Sequence, residues 1–282
     1  MKITLPDNSS RELPEGSSGY DLAKDIGPGL AKSAIAVTID GVQKDLYDVI
    51  DSDASVSIIT IDSDEGVEIM RHTLTAQVLA RAIKNLYPES KLAIGPTVQD
   101  GFYYDVESDE SISSDDLSKI EEEMKKIIKT KSAITKKLVS KKDALKIFKS
   151  NKEPYKEIII NESDQDDDFQ LYYQDDEEFV DLCRGPHLPN LGFIGSFKLT
   201  KVSGAYWKGD SKNSMLTRIY GTAFSNDKDL QNHLDNIEEA LKRDHRKLGK
   251  EMDLFHFQDE APGMVFWHPN GWTVYRLSLI HI

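Results

Sequence analysis

Cysteine is all but missing from this chain: Cys183 stands alone among 282 residues. A single thiol excludes an internal disulfide framework and fits a reducing compartment. Long apolar runs are missing too. Nothing approaches the roughly 18–20 consecutive apolar residues that cross a bilayer. The opening stretch, Met1-Lys-Ile-Thr-Leu-Pro-Asp7, alternates apolar and polar residues and lacks the apolar core of a signal peptide. No glycine-rich loop ends in Gly-Lys-Ser or Gly-Lys-Thr, which excludes a P-loop protein such as a regulatory GTPase. Internal repeats and low-complexity linkers are lacking. The expectation is a soluble cytoplasmic protein with no membrane partner.

Positive charge is in short supply as well, with 35 Lys and Arg against 49 Asp and Glu and a net charge of −14. Taken alone, that balance argues against a partner as acidic as nucleic acid. The charge is uneven, however. Acidic clusters occupy residues 105–116 and 162–168, whereas residues 119–152 carry twelve lysines against four acidic residues. Such a stretch suits a solvated helix face or a surface that tracks phosphates, and charge does not choose between them.

Residues 1–62 read as a small mixed domain. Ile3 and Leu5 alternate in a first strand, and Pro6-Asp7-Asn8-Ser9 makes a turn. A helix over 20–26 is ended by Gly27-Pro28-Gly29. A strand over 34–39 is closed by Asp40-Gly41, a hairpin signal, and a last strand covers 56–61. In 67–87, Met70, Leu74, Val78, Leu79, Ala82, Ile83 and Leu86 recur at three- and four-residue spacing, which predicts one helix stopped by Pro88. Strands follow at 93–96 and 101–106. A helix over 115–129 is acidic in its first turn and basic in its last. A shorter one over 140–148 has Ser140 and Asp143 placed like a capping box. Further strands are expected at 156–160, 170–173, 179–183, 197–202 and 215–220. This alternation predicts an α+β domain over 63–224. One charged helix over 227–250 dominates a linker spanning 225–256. The turn-rich, aromatic stretch 257–276 opens a further domain. Residues 277–282 match the translation of a common sequencing adapter, so a non-native tail is expected after Arg276, with the natural protein continuing further.

The densest chemistry lies in Asp181-Leu-Cys-Arg-Gly-Pro-His187, which gathers a carboxylate, a thiol, a guanidinium and an imidazole. Alternation on a strand puts Asp181 and Cys183 on one side. Gly185-Pro186 then turns the chain and can bring His187 back over them. The group can position a water for hydrolysis, with His187 or Asp181 accepting its proton, or bind a metal through Cys183 and His187. A plain packing role is equally open, with Cys183 a small buried hydrophobe and His187 a satisfied turn histidine.

Several motifs carry a family resemblance. The order of elements in 1–62 resembles the ubiquitin-like TGS domain. Glu178-Phe-Val-Asp-Leu-Cys-Arg-Gly-Pro-His-Leu-Pro189 resembles the editing-domain signature of threonyl-tRNA synthetases. So do Ala93-Ile-Gly-Pro-Thr-Val-Gln-Asp-Gly-Phe-Tyr-Tyr-Asp105, Gly204-Ala-Tyr-Trp-Lys-Gly-Asp210 and Arg218-Ile-Tyr-Gly-Thr-Ala223. Residues 243–255 resemble the family's linker into its aminoacylation domain, and Ala261-Pro-Gly-Met-Val-Phe-Trp-His268 resembles the start of that domain. The fold class implied is α+β and multidomain: a ubiquitin-like β-grasp domain, an α+β editing domain and a linker helix.

The resemblance implies an enzyme that ligates threonine to its tRNA with ATP, and an editing domain that hydrolyses serine wrongly attached to that tRNA. A methylene-sized difference discriminates by only about 1–3 kcal/mol, so a second, hydrolytic site is needed. It implies His187 and Lys156 as the groups that position or activate water, Asp181 as the holder of the substrate amine or hydroxyl, and Cys183 as pocket lining. Tyr104 falls either near the terminal adenosine or in the core, and Arg184 is a substrate-binding position. No metal and no cofactor are implied for this portion. ATP, magnesium and zinc, and the contacts of a homodimer, belong to the missing aminoacylation domain. The partner is the threonine tRNA.

One departure stands out. The family carries two histidines four residues apart on the first editing-domain helix, whereas this chain reads Arg71-His72-Thr73-Leu74-Thr75-Ala76-Gln77. Aligned from the left, His72 is retained; aligned from the right, the two positions become Thr73 and Gln77. One extra residue rotates a helix by about 100° unless a bulge absorbs it. At most one histidine of the pair is therefore expected to survive. A non-catalytic tRNA-binding module with a dead pocket is the alternative this favours. A free-standing editing deacylase is a third reading, opposed by residues 261–273.

Overall fold

The computed structural model describes residues 1–174 and 178–282. It divides into two compact units, Met1–Asp227 and Lys228–Ile282.

The first unit begins with strands β1 (Lys2–Thr4) and β2 (Ser10–Glu12), helices α1 (Gly19–Ile26) and α2 (Pro28–Ser33), then β3 (Ala34–Ile39), β4 (Val42–Asp45) and β5 (Ala54–Thr60). The strands form one sheet in the order β2-β1-β5-β3-β4, with β1 and β5 parallel and the other pairs antiparallel. Asp40 and Gly41 both take positive φ, 48° and 83°, which closes the tight β3–β4 hairpin. Ser18 and Asp21 form a reciprocal capping box on α1. Ile3, Leu22, Val37, Ile50 and Val56 fill the core between α1 and the sheet. The expected stop at Gly27-Pro28-Gly29 is a joint between two helices. Pro28 occupies the first turn of α2, where its missing N–H costs nothing.

Ser63 caps α3 (Asp64–Thr73), which runs into a π-helical turn, Leu74–Leu79, and then α4 (Ala80–Leu86). One helix was expected here, and one continuous helical rod forms, but with a turn that holds an extra residue. Strands β6 (Lys91–Leu92), β7 (Thr97–Val98) and β8 (Gly101–Glu107) follow, then α5 (Leu117–Thr130) and β9 (Ile134–Val139). Residues 93–96, expected as a strand, are irregular. Ala93 and Ile94 each make one backbone bond to Asp105 before the chain turns away. Helix α6 (Lys141–Ser150) is capped by Ser140, which accepts the N–H of Asp143.

Residues 156–160 are not a strand. They lie inside α7 (Pro154–Glu162), which Pro154 opens at its first turn. Three consecutive isoleucines favour a strand locally, but here they spread around a helix. Ile160 packs with Phe148 and Phe169, Ile159 leans on Tyr155 and Trp207, and Ile158 is exposed. Strands β10 (Phe169–Gln174), β11 (Phe179–Leu182), β12 (Ser196–Tyr206) and β13 (Met215–Phe224) complete the unit. They build two sheets, β11-β10-β9 and β12-β13-β8-β6, with β7 added alongside β8. The α3–α4 rod and α5 share one core with the larger sheet, in which Met70, Leu74, Ile83, Phe102, Ile120 and Met124 are buried. Each such side chain contributes about 1.5–3 kcal/mol.

The second unit contains α9 (His245–Glu251), the short hairpin β14 (Phe255–His256) and β15 (Phe266–Trp267), and α10 (Pro269–His281). Helix α8 (Asp227–Lys242), all but its first residue, belongs to it as well. The single helix expected over 227–250 is thus two. Asp244 leaves helical geometry and its carboxylate accepts the N–H of Arg246, capping α9. No helix among the described residues is long and apolar enough to cross a membrane.

Candidate functional site

A cavity of about 580 Å³ opens where several segments of the first unit meet. The α3–π rod supplies His72 and Ala76, the irregular stretch supplies Gly95 and Pro96, and β8 supplies Tyr104. Helix α7 supplies Lys156 and Ile159, and the end of β11 supplies Asp181, Cys183 and Arg184. Residues far apart in sequence therefore share one wall.

At its base lies a buried ion pair. Lys156 Nζ is 2.6 Å from Asp181 Oδ1, with the two side chains 4% and 2% exposed. Lys156 also donates to Tyr104 Oη at 3.3 Å, and that hydroxyl donates to Asp181 Oδ2 at 3.3 Å. The N–H of Leu182 adds a bond to Asp181 Oδ1 at 2.8 Å. Burial, and then the Asp181 charge, push the Tyr104 phenol well above its ordinary pKa, so it stays neutral. An ammonium has three N–H donors. Two go to Asp181 and Tyr104, which leaves one for whatever fills the cavity.

Beside this trio, His72 Nε2 lies 2.8 Å from Cys183 Sγ. Burial lowers the pKa of His72 while the Asp181 charge opposes the change, so the imidazole is neutral at pH 7. His72 stacks on His187 at 4.7 Å, and His187 in turn meets Tyr172 edge-on at 4.3 Å. His187 is 1% exposed and does not line the cavity; it stands behind His72. Thr73 anchors the ring and its segment: its hydroxyl accepts the N–H of Leu188 at 3.0 Å and shares a hydrogen bond with His187 Nδ1 at 3.1 Å. His187 Nε2 is a buried atom with no partner among the described residues.

The segment that carries these groups is held from the first sheet. Asp45, at the end of β4, accepts the backbone N–H of His187 at 2.8 Å and the hydroxyl of Tyr172 at 2.8 Å, and pairs with Lys136 at 2.9 Å. Burial and the Asp45 charge hold the Tyr172 phenol far above its usual pKa. Between Cys183 and His187 the chain turns at Gly185, whose φ is +66° and where a Cβ would lie 2.0 Å from Tyr172 Oη. Only glycine fits there.

The donor atoms of His72, Cys183 and His187 lie within 4.8 Å of one another, a set of the kind that binds zinc. Nitrogen and sulfur ligands on one tetrahedral zinc stand about 3.5 Å apart, given bond lengths of about 2.0 and 2.3 Å. The 2.8 Å between His72 and Cys183 is a hydrogen-bond spacing and does not fit a shared ion. As arranged, His72 and Cys183 are bonded to each other and His187 is stacked on His72, so the three are not splayed around a metal.

Of the residues singled out in the sequence, His72, Tyr104, Lys156, Asp181, Cys183 and Arg184 line the cavity. Thr73 and His187 support it from behind. Gln77 takes no part: it is buried, and Gln174 on β10 donates to its backbone oxygen and its Oε1. The π turn absorbs the extra residue of the Arg71–Gln77 stretch, so the rod continues into α4 without losing its buried face. His72 is the one histidine among the described residues of the lining, and the next residue of the rod to face the cavity is Ala76. Sequence reasoning missed Asp45 and Tyr172. Nothing local marks an aspartate in a hairpin strand as the partner of a backbone amide 142 positions away.

Comparison with known proteins agrees with this layout. Residues 1–60 match the TGS domain, and residues 170–220 match the threonyl and alanyl tRNA synthetase second additional domain. The class is therefore a TGS domain joined to a tRNA-synthetase additional domain of the editing type. Along nearly its whole length the chain is similar to threonine-tRNA ligases. It is 51% identical over 278 residues to the enzyme of Prochlorococcus marinus (strain MIT 9211), covering 98% of this chain and 43% of that relative. It is 50% identical over 275 residues to that of Hahella chejuensis (strain KCTC 2396), with the same shares. The chain thus resembles threonine-tRNA ligases over nearly all of its own residues, and it spans less than half the length of these relatives.

Proposed function

We propose that the cavity hydrolyses the ester joining serine to the tRNA for threonine, as the proofreading part of a protein that ligates threonine to that tRNA with ATP. The observation that carries the reading is the buried Lys156–Asp181–Tyr104 trio set beside a neutral His72 at the base of one cavity. A water that takes the place of the Cys183 thiol at the His72 ring gives up its proton to that imidazole. Its oxygen attacks the ester carbonyl carbon, and the free N–H of Lys156 meets the charge that develops on the carbonyl oxygen. The C–O bond to the ribose then breaks, and the ribose oxygen takes the proton back from His72. The products are serine and a tRNA with a free hydroxyl. His187, behind His72, holds that ring in place by stacking. Asp181 keeps Lys156 charged and oriented, and Cys183 lines the pocket.

On the same reading, ATP, magnesium and zinc serve the remaining length of the protein, where the contacts of a homodimer also lie, and the whole works in the cytoplasm. The experiment is to follow ester loss from seryl- and threonyl-tRNA for threonine in the presence of this chain. Faster release of serine, abolished by His72→Ala, supports the reading. A second reading, a tRNA-binding module without hydrolysis, is favoured by Ala76 lining the wall near His72. Unchanged esters despite tRNA binding would establish it in place of the first.

A further inference from the structure

We propose that Arg184 is an anion anchor at the mouth of the cavity, and that its ligand is a phosphodiester group of the RNA end that delivers the ester. The proposal rests on the reading of this cavity as an ester-hydrolysing site for charged RNA, and it adds the group that seats the strand.

Arg184 is exposed and borders two cavities, the one just described and a neighbouring one of about 460 Å³ lined by Asp45, Asp48 and Lys136. Lys44 also borders the neighbouring cavity, whereas the other two cations at these walls are committed. Lys156 is paired with Asp181, and Lys136 bridges Asp45 and Asp48 at 2.9 and 2.5 Å. Glu162, on the same wall, is matched by Lys208. Arg184 makes no hydrogen bond or ion pair with any described residue. Asp168, also in the lining, is a second unmatched charge and is an acceptor suited to ribose hydroxyls.

The backbone that carries Arg184 is fixed on both sides. The N–H of Cys183 bonds to Gln170 O at 3.2 Å, the N–H of His187 bonds to Asp45, and Gly185 is wedged against Tyr172. A rigid mount with an uncommitted guanidinium is what bidentate phosphate binding requires, since the planar fork matches two phosphate oxygens and little order remains to be imposed. A chain of net charge −14 repels a polyanion on balance. A cation without a partner among the described residues, at the mouth of the first cavity, then favours docking of the strand there. An arginine serving solubility alone would have no preference for phosphate.

The test compares two small substrates: the seryl ester of adenosine, and the seryl ester of the dinucleotide cytidylyl-adenosine, which adds one phosphodiester. For the unaltered chain, the dinucleotide ester is expected to show a KM about tenfold lower. Arg184→Ala should raise that KM to about the level of the adenosine ester, a far larger change than any in the constants for the adenosine ester. Arg184→Lys should fall between. The salt dependence of KM for the dinucleotide ester should flatten in Arg184→Ala. Equal changes for both esters, or no change for either, would overturn the anchor while leaving the hydrolytic reading in place. If the unaltered chain cleaves neither ester, the hydrolytic reading fails. The anchor is then judged by titrating cytidylyl-adenosine and adenosine as ligands. A preference for the former that Arg184→Ala erases supports it, and equal affinities reject it.

Discussion

The carboxylate of Asp45 accepts the backbone N–H of His187 at 2.8 Å, across 142 residues of sequence. A residue of the ubiquitin-like sheet thus holds the segment on which Cys183 and His187 stand. Asp45→Ala should lower hydrolysis of seryl-tRNA by about tenfold and stability by about 1–3 kcal/mol, because the amide and the Tyr172 hydroxyl lose their acceptor. Asp45→Asn keeps an oxygen for His187 and should retain most of the rate. Single-turnover kinetics and urea unfolding measure the two effects, and an unimpaired alanine variant would contradict the coupling.

Lys156 and Asp181 should show the asymmetry of a buried pair. Asp181→Asn leaves an ammonium in the interior with no counter-charge and is expected to cost about 3–5 kcal/mol. The double change Lys156→Met with Asp181→Leu should recover much of that stability and none of the hydrolysis. Denaturant midpoints with an unchanged m-value would establish this. A single variant as stable as the parent would count against it.

The pH dependence follows from His72. Its pKa is depressed in the folded chain by burial, so the unfolded chain binds a proton more readily. The corresponding stability is complete above the unfolded histidine value of about 6.5 and declines as pH falls through the lower folded value. Hydrolysis should follow the same direction, with the acid limb of kcat/KM lying below about 6.5. His72→Gln should remove that limb along with most of the rate. A limb above that value would assign the base to another group.

The π turn separates two neighbouring positions. Ala76 faces the cavity, whereas Gln77 is locked to Gln174. Ala76→His should therefore place a second titrating imidazole near His72 and add a step to the pH profile. Gln77→His should leave the profile as it is and cost about 1–3 kcal/mol by breaking the buried amide pair. The reverse assignment of effects would mean that the rod is wound differently at this point.

Much of this was legible in the sequence because it is local. The Asp181–His187 segment, the glycine turn within it and the amphipathic stripe of the α3–α4 rod follow from residue type and period. The extra residue after His72 was legible too, but not its accommodation, since a π turn is decided by packing on both sides of the rod and not by Leu74–Leu79 themselves. Lys156 was assigned to a strand because three isoleucines follow it closely. The helix wins because Ile160 has Phe148 and Phe169 to pack on. Asp45 and Tyr172 were illegible for a different reason: their meaning exists only once two domains lie together.

The lone cysteine acquires a practical meaning from its place on the cavity wall. Cys183 is half-buried, borders the site and has no competitor elsewhere in the chain. Any thiol-directed reagent applied to the unmodified protein is thereby addressed to one location. The rate at which such a reagent reacts, with and without an RNA ligand, is a direct gauge of occupancy that needs no engineered label.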